Sequence, residues 1–206
     1  MELEILVVGG SLNVPGRANA PFSTTLLLRG DERIILVDPG SFVTTPILEE
    51  ELTKRKISPE DVTDIILTHV HLDHIYNTIF FENATIHLHE SYKTKDYEKF
   101  GPLIGKLYKS VIESWKDQNF IDDGEILFNS IYVYHTPWHA REHLSFVIES
   151  TNMGKVFFPG DICYTRLDYY DIIKSNREGK SAEFVKEKAK ECDTIIFTHD
   201  LPLNLR

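Results

Sequence analysis

Residues 68–74 read Thr-His-Val-His-Leu-Asp-His, placing three imidazoles and a carboxylate within six residues, directly after the apolar run Asp64 to Leu67. Side chains two apart in an extended segment share a face, so His69 and His71 can converge on one ion. If the chain then turns into a helix, Asp73 and His74 can face a second. Imidazole and carboxylate at this density suit zinc, with iron or manganese as alternatives, better than calcium, which prefers sites built from oxygen. Further donors close other strand-like runs: His139 after "SIYVYHTPW", Asp161 after "KVFFPG" and His199 after "TIIFT". Ligands at strand ends gather at one edge of a sheet. Three protein ligands leave a zinc position open for water, which is the catalytic arrangement. Two such sites sharing Asp161 would hold a bridging hydroxide, and the reaction class would be hydrolysis. Asp73 could move a proton alongside its metal role.

The elements that must position these groups are legible as short runs of Val, Ile and Leu followed by turn residues: "LEILVV", "STTLLLR", "RIILVD", "DIILTH", "ATIHLH", "EILF", "SIYVYH", "HLSFVI", "KVFFPGD" and "TIIFTH". Two helices are expected between them. One is "TTPILEEELTKRK", with Thr45 as N-cap and Pro46 at the first helical position; the other is "SAEFVKEKAKE", with Ser181 as N-cap. The segment 90–123 carries Tyr92, Tyr97, Phe100, Tyr108, Trp115 and Phe120 and reads as largely helical. It is either a cover for the sheet, a lid or pocket wall over the site, or a homodimer contact.

A chain of 206 residues is expected to form a single domain over 1–206. Its 22 Lys+Arg against 32 Asp+Glu give a formal charge of -10, which makes nucleic acid an unfavourable partner. Two cysteines, Cys163 and Cys192, form no disulfide framework, and a reducing cytoplasm fits them best. Neither a signal peptide nor an apolar window of membrane-spanning length is visible. Cys163 reads as a small buried thiol, and His87, His89 and His135 as strand or surface histidines.

"HVHLDH" (69–74), "TPWHAREH" (136–143), "GDICYT" (160–165) and "FTHD" (197–200), together with "IILVDPG" (34–40), resemble the metallo-beta-lactamase superfamily over nearly the whole chain. The resemblance implies an α+β fold, a four-layer αβ/βα sandwich of two mixed β-sheets flanked by helices, with metals at one sheet edge. It implies one metal on His69, His71 and His139, a second on Asp73, His74 and His199, and a bridge through Asp161. It also implies indirect roles for Asp38, which would orient a ligand, and for His143. Trp138, Glu142 and Thr198 stand where the family usually has glycine. Trp138 is expected either to pack beside the metals or to wall the pocket.

Tyr164 completes a D-x-x-Y-T run similar to that of quorum-quenching lactonases of the superfamily, which implies a contact to a substrate carbonyl. With only seven residues after His199, the helical domain of glyoxalase-II-like thioesterases is not expected. Nor is the inserted domain of RNA-cleaving relatives. The leading expectation is a dinuclear zinc hydrolase that uses a metal-bridging hydroxide on a small ester, lactone or thioester. The alternatives are a phosphodiesterase or nuclease of the same fold, and a persulfide dioxygenase with one iron at the His69, His71 and His139 site.

Overall fold

The computed structural model describes residues 1–206. Its strands, in chain order, are β1 (Glu2–Val7), β2 (Gly10–Val14), β3 (Ala18–Phe22), β4 (Thr25–Gly30), β5 (Arg33–Val37), β6 (Asp64–Ile66), β7 (Thr85–Leu88), β8 (Asp117–Phe120), β9 (Ile126–Leu127), β10 (Ile131–His135), β11 (Leu144–Ser150), β12 (Gly154–Phe158), β13 (Thr194–Ile195) and β14 (Leu203–Asn204). The α-helices are α1 (Thr45–Lys54), α2 (Leu72–Ile75), α3 (Ile104–Glu113), α4 (Arg166–Ile173) and α5 (Lys180–Glu191). Each apolar run read as a strand contains one.

The strands form two six-stranded sheets, β1-β4-β5-β6-β7-β8 and β14-β13-β12-β11-β10-β9, plus the separate β2-β3 hairpin. Both large sheets are mixed. In the first, β1, β4 and β5 pair antiparallel while β5 to β8 run parallel. In the second, only the β12-β13 pair is parallel.

Period-two alternation explains the layering, because successive side chains of a strand point to opposite faces. Leu26 and Leu28 of β4, with Ile35 and Val37 of β5, meet Phe146 and Ile148 of β11 and Val156 and Phe158 of β12 in the core between the sheets. The intervening Leu27, Leu36 and Ile65 face outward, against Leu48 and Leu52 of α1 and Tyr108 and Val111 of α3. On the far side, Val147, Phe157 and Ile195 pack on Ile172 of α4 and Ala182 and Val185 of α5. Each fully buried side chain of this kind contributes about 1.5–3 kcal/mol of burial free energy. Two sheets with an apolar stripe on each face demand helices outside both, which is the αβ/βα sandwich.

Several local expectations are corrected. The N-cap of α1 is Thr44, and Thr45 is its first residue; the Thr45 hydroxyl instead donates to Asn77 Oδ1 at 2.6 Å. Helix α5 is entered through Gly179 at φ 109°, so Ser181 lies inside the first turn. The 90–123 segment is helical only in part. Two short 3-10 turns, Glu90–Thr94 and Tyr97–Phe100, precede α3, and the chain then extends into β8 at the edge of the first sheet. Its aromatics divide accordingly: Tyr92, Tyr97, Tyr108 and Trp115 are buried, while Phe100 and Phe120 are exposed. The Trp115 indole N–H donates to Thr78 Oγ1 at 2.7 Å, tying the segment to the chain just after α2. No helix is long and apolar enough to cross a membrane.

Candidate metal centre

The seven residues singled out as metal ligands come together at the ends of β6, β12 and β13 and in the loop between β10 and β11. Strand β6 ends at Ile66, and His69 and His71 follow it; one turn of helix, α2, then lifts Asp73 and His74 onto the same edge. Asp161 lies in a 3-10 turn after β12, and His199 follows β13. Two groups of donor atoms result, one from His69, His71, His139 and Asp161, the other from Asp73, His74 and His199.

In the first group, His71 Nδ1 is 2.8 Å from His69 Nε2 and 3.2 Å from His139 Nε2. Asp161 Oδ2 lies 3.9 Å from His69 Nε2 and 3.6 Å from His139 Nε2. In the second, Asp73 Oδ2 is 3.5 Å from both His74 Nε2 and His199 Nε2. Asp161 Oδ1 is 3.5 Å from the same two nitrogens. One carboxylate thus turns one oxygen to each group. Tetrahedral zinc with Zn–N of ~2.0–2.1 Å sets its ligand atoms roughly 3.3 Å apart, the scale of these separations.

Hydrogen bonds behind the rings assign their tautomers. Asp38 Oδ2 accepts from His74 Nδ1 at 2.8 Å and from the Thr68 hydroxyl at 2.6 Å. With its proton so used, Thr68 Oγ1 faces His69 Nδ1 at 3.0 Å as an acceptor. His199 Nδ1 donates to the Phe22 carbonyl at the end of β3, at 2.9 Å. In the neutral form of each ring, Nε2 is therefore the nitrogen left to face the site with its lone pair. His74 Nε2 is fully buried without a hydrogen-bond partner. A buried polar nitrogen without a partner is costly, and a metal ion is what would satisfy it, so the donor set fits a metal.

His143 works from behind Asp161. Its Nε2 accepts the Asp161 backbone N–H at 2.9 Å, and its Nδ1 pairs with Thr136 Oγ1 at 2.8 Å. Thr136 continues to Ser145 Oγ, which donates to the Pro159 carbonyl at 2.8 Å. This wire fixes the turn that carries Asp161, and the Thr198 hydroxyl steadies the Asp161 carboxylate by donating to Oδ1 at 2.7 Å.

Burial, followed by the charges of Lys95 and His139, pushes His71 down to about 2. Burial pushes His143 down to about 3, and it carries His69 well below the usual imidazole value. His74 goes the other way: burial opposes its charge, but Asp161, Asp73 and Asp38 outweigh that and raise it well above. Asp161 is held well below the carboxylate range against its own burial, chiefly by His74 and His199. The field that draws a proton to His74 is the field that draws a cation.

The residues standing in place of glycine have assignable contacts. Thr198 orients Asp161, as above. Glu142, buried, accepts from Lys95 Nζ at 2.9 Å and from the Val70 N–H at 3.3 Å, while Lys95 Nζ also donates to the Val70 carbonyl at 3.0 Å. Val70 lies between His69 and His71, so this pair braces the first ligand group. The Trp138 ring, next in sequence to His139, packs on Phe184 of α5, 5.7 Å between centroids. Tyr164 stands beside the second group, its exposed ring edge-on to His199 at 6.0 Å. Cys163 is buried, which pushes its thiol up. His87 pairs with buried Asp64 at 2.7 Å inside the sheet. His89 and His135 stack at 3.9 Å with Asp122 beside them, a group of donor atoms separate from the two above.

Two cavities open onto the donors. An apolar groove of about 610 Å³, walled by Phe42, Val43, Tyr76, Leu107 and Tyr108, reaches His71 and Asp73. A polar pocket of about 420 Å³ reaches His71 and His139 past Lys95, Lys99 and Arg141. Phe100 lines both.

The family model of the metallo-beta-lactamase superfamily matches residues 18–199. A Rattus norvegicus protein named metallo-beta-lactamase domain-containing protein 1 is 31% identical over 179 residues, covering 83% of this chain and 63% of that protein. The chain spans a similar share, 62% and 61%, of the Xenopus laevis and Mus musculus proteins of that name. An N-acyl homoserine lactonase from a Bacillus species is 25% identical over 204 residues, covering 85% of this chain and 80% of that enzyme. The crystal structure of a Thermotoga maritima protein assigned to the metallo-beta-lactamases superposes with a TM-score of 0.94 at 48% identity, covering 98% of both chains.

Proposed function

The chain belongs to the metallo-beta-lactamase superfamily of metallo-hydrolases, and on that premise we propose that it is a dinuclear zinc hydrolase acting on a small ester, lactone or thioester. The observation that carries the reading is Asp161, whose Oδ2 faces His69 and His139 while its Oδ1 faces His74 and His199. His69, His71 and His139 would hold one ion, Asp73, His74 and His199 the other, and Asp161 both. When bound, such ions lower the pKa of a water to about 7 and polarise a carbonyl oxygen.

The chain's own groups supply the rest. Asp73 is the more accessible of the two carboxylates beside the ligand nitrogens, so it is placed to take a proton and return it to the leaving oxygen or sulfur. The Tyr164 hydroxyl, on an exposed ring beside His199, can donate to the substrate carbonyl. The apolar groove receives the substrate's hydrocarbon part and keeps water from that side. A lactonase among the relatives supports a small carbonyl substrate.

The test is metal quantification joined to a substrate panel of p-nitrophenyl esters, γ- and δ-lactones, a thioester, bis-p-nitrophenyl phosphate, and glutathione persulfide with an oxygen electrode. The expected result is about two zinc ions per chain, turnover of the carbonyl substrates, and a loss of at least about 100-fold in Asp161→Ala. Equal ester turnover in that variant, faster phosphodiester cleavage, or one iron with oxygen uptake would each overturn the reading.

A further inference from the structure

We propose that the polar pocket beside His71 and His139 is an oxyanion-binding subsite, so that the hydrolysed substrate carries a carboxylate or phosphate group a few bonds from its scissile carbonyl. This rests on the hydrolase reading above and specifies its substrate class.

The pocket is lined by three cationic side chains, Lys95, Lys99 and Arg141, and two acidic ones, Asp96 and Glu142, in a chain whose formal charge is -10. A net positive lining against that background is a local arrangement, and fields in a concave pocket are focused there. The three cations differ in how they are committed. Lys95 is mostly buried and spends two of its three N–H groups on the Val70 carbonyl and Glu142, leaving one donor for the pocket. Lys99 makes one loose pair with Asp96, at 3.7 Å on an exposed surface, which holds it weakly.

Arg141 is the decisive residue. It lies in the loop between His139 and His143, and its guanidinium makes no ion pair or hydrogen bond within the protein while its backbone is pinned. Its carbonyl accepts from His135 Nε2 at 2.7 Å, and the neighbouring Ala140 carbonyl accepts the His143 N–H at 3.1 Å. An uncommitted planar fork on a fixed backbone, two residues from a metal-ligand candidate, suits bidentate capture of a carboxylate or phosphate. Because His71 and Phe100 belong to both cavities, a substrate reacting at the donors can extend its apolar part along one and its acidic group into the other.

The test uses the zinc-loaded full chain and two esters of matched length, mono-p-nitrophenyl glutarate and p-nitrophenyl valerate, with a third bearing a terminal phosphate. Wild type is expected to favour an acidic ester over the neutral one by about 10–100-fold in kcat/KM, mostly through KM, as for a hydrogen bond to a charged group. The better of the two acidic esters identifies the oxyanion. Arg141→Met should bring the preference close to one, Arg141→Lys should keep part of it, and Lys99→Met should lower it by a smaller factor. No preference in wild type, or one that survives Arg141→Met unchanged, would overturn the proposal. If none of the esters is hydrolysed, the hydrolase reading is what has failed. Calorimetry with glutarate against glutaramide then decides the subsite: tighter glutarate binding that Arg141→Met abolishes supports it, and equal binding of the two refutes it.

Discussion

Asp38 Oδ2 lies 2.8 Å from His74 Nδ1, and the same oxygen takes the Thr68 hydroxyl whose oxygen faces His69. One carboxylate therefore sets a ring in each group of donors. It is wholly buried and held at φ 47°, a left-handed conformation that Asp tolerates better than most residues, with its Oδ1 accepting the Thr68 N–H at 2.8 Å. Asp38→Ala should weaken binding of both ions by about 10–100-fold, the usual effect of removing a group that orients metal ligands. Competition with a chromophoric chelator measures it. Weakening of only one ion would break the link through Thr68.

The Lys95–Glu142 pair predicts a stability effect with a particular signature. Glu142 is 2% exposed and Lys95 18%, so Glu142→Ala strands a largely desolvated ammonium. Removing one partner of such a pair costs about 3 kcal/mol, whereas replacing both by apolar side chains is often close to neutral. In denaturant unfolding, Lys95→Met with Glu142→Leu should recover most of the loss seen in Glu142→Ala. A double variant as unstable as the single one would mean that the backbone contacts to Val70 matter more than the charge pair.

The seven donors were legible because each follows an apolar run that is a strand, and strand ends converge on a sheet edge. Asp38 and His143 were legible only through resemblance. What was not legible depends on long-range contact. Lys95 and Glu142 are 47 residues apart, and neither has a local pattern that names the other. The Phe22 carbonyl acts on His199 from 177 residues away, at the end of a hairpin whose strands lack an apolar run. β8 reads "DQNF" and is a strand only because β7 offers it a parallel edge. Trp138 went to Phe184 because α5 lies within reach, which its own neighbourhood in sequence does not reveal. The N-caps moved by one or two residues because Gly179 and Thr44, which carry no strong side-chain cap, set where the helices begin.

The opposed shifts in the two groups predict how metal uptake depends on pH. His69 and His71 are driven down by burial, His71 to about 2, so they are neutral and ready to ligate across the ordinary range. His74 is raised well above its usual value by Asp161, Asp73 and Asp38, with burial opposing, so in the metal-free protein a proton stands where the second ion would bind. The sign follows: affinity for that ion weakens as pH falls, and binding it releases about one proton. Titration calorimetry in buffers of different ionisation enthalpy should find this release for one ion and much less for the other. Equal release for both would contradict the assignment.

The turn carrying Asp161 makes the last prediction. Gly160 sits at φ +62°, and a Cβ there would meet His143 Nε2 at 2.4 Å and Cε1 at 2.7 Å. That same Nε2 accepts the Asp161 N–H, so the ring cannot retreat without releasing the backbone of the shared carboxylate. Gly16, in the β2-β3 turn, has a similar φ of +69° with nothing within 4 Å of the added carbon, and so serves as the matched control. Gly16→Ala should cost about 1 kcal/mol, from the left-handed backbone alone. Gly160→Ala adds the clash and should cost about 2–4 kcal/mol, in the range of overpacking a tight interior. The two differ further in what they do to the metals. Gly16→Ala should retain the full complement, whereas Gly160→Ala, by displacing Asp161, should lose occupancy. If Gly160→Ala matched the control in both unfolding free energy and metal content, the His143 ring would not be what holds Asp161 in place.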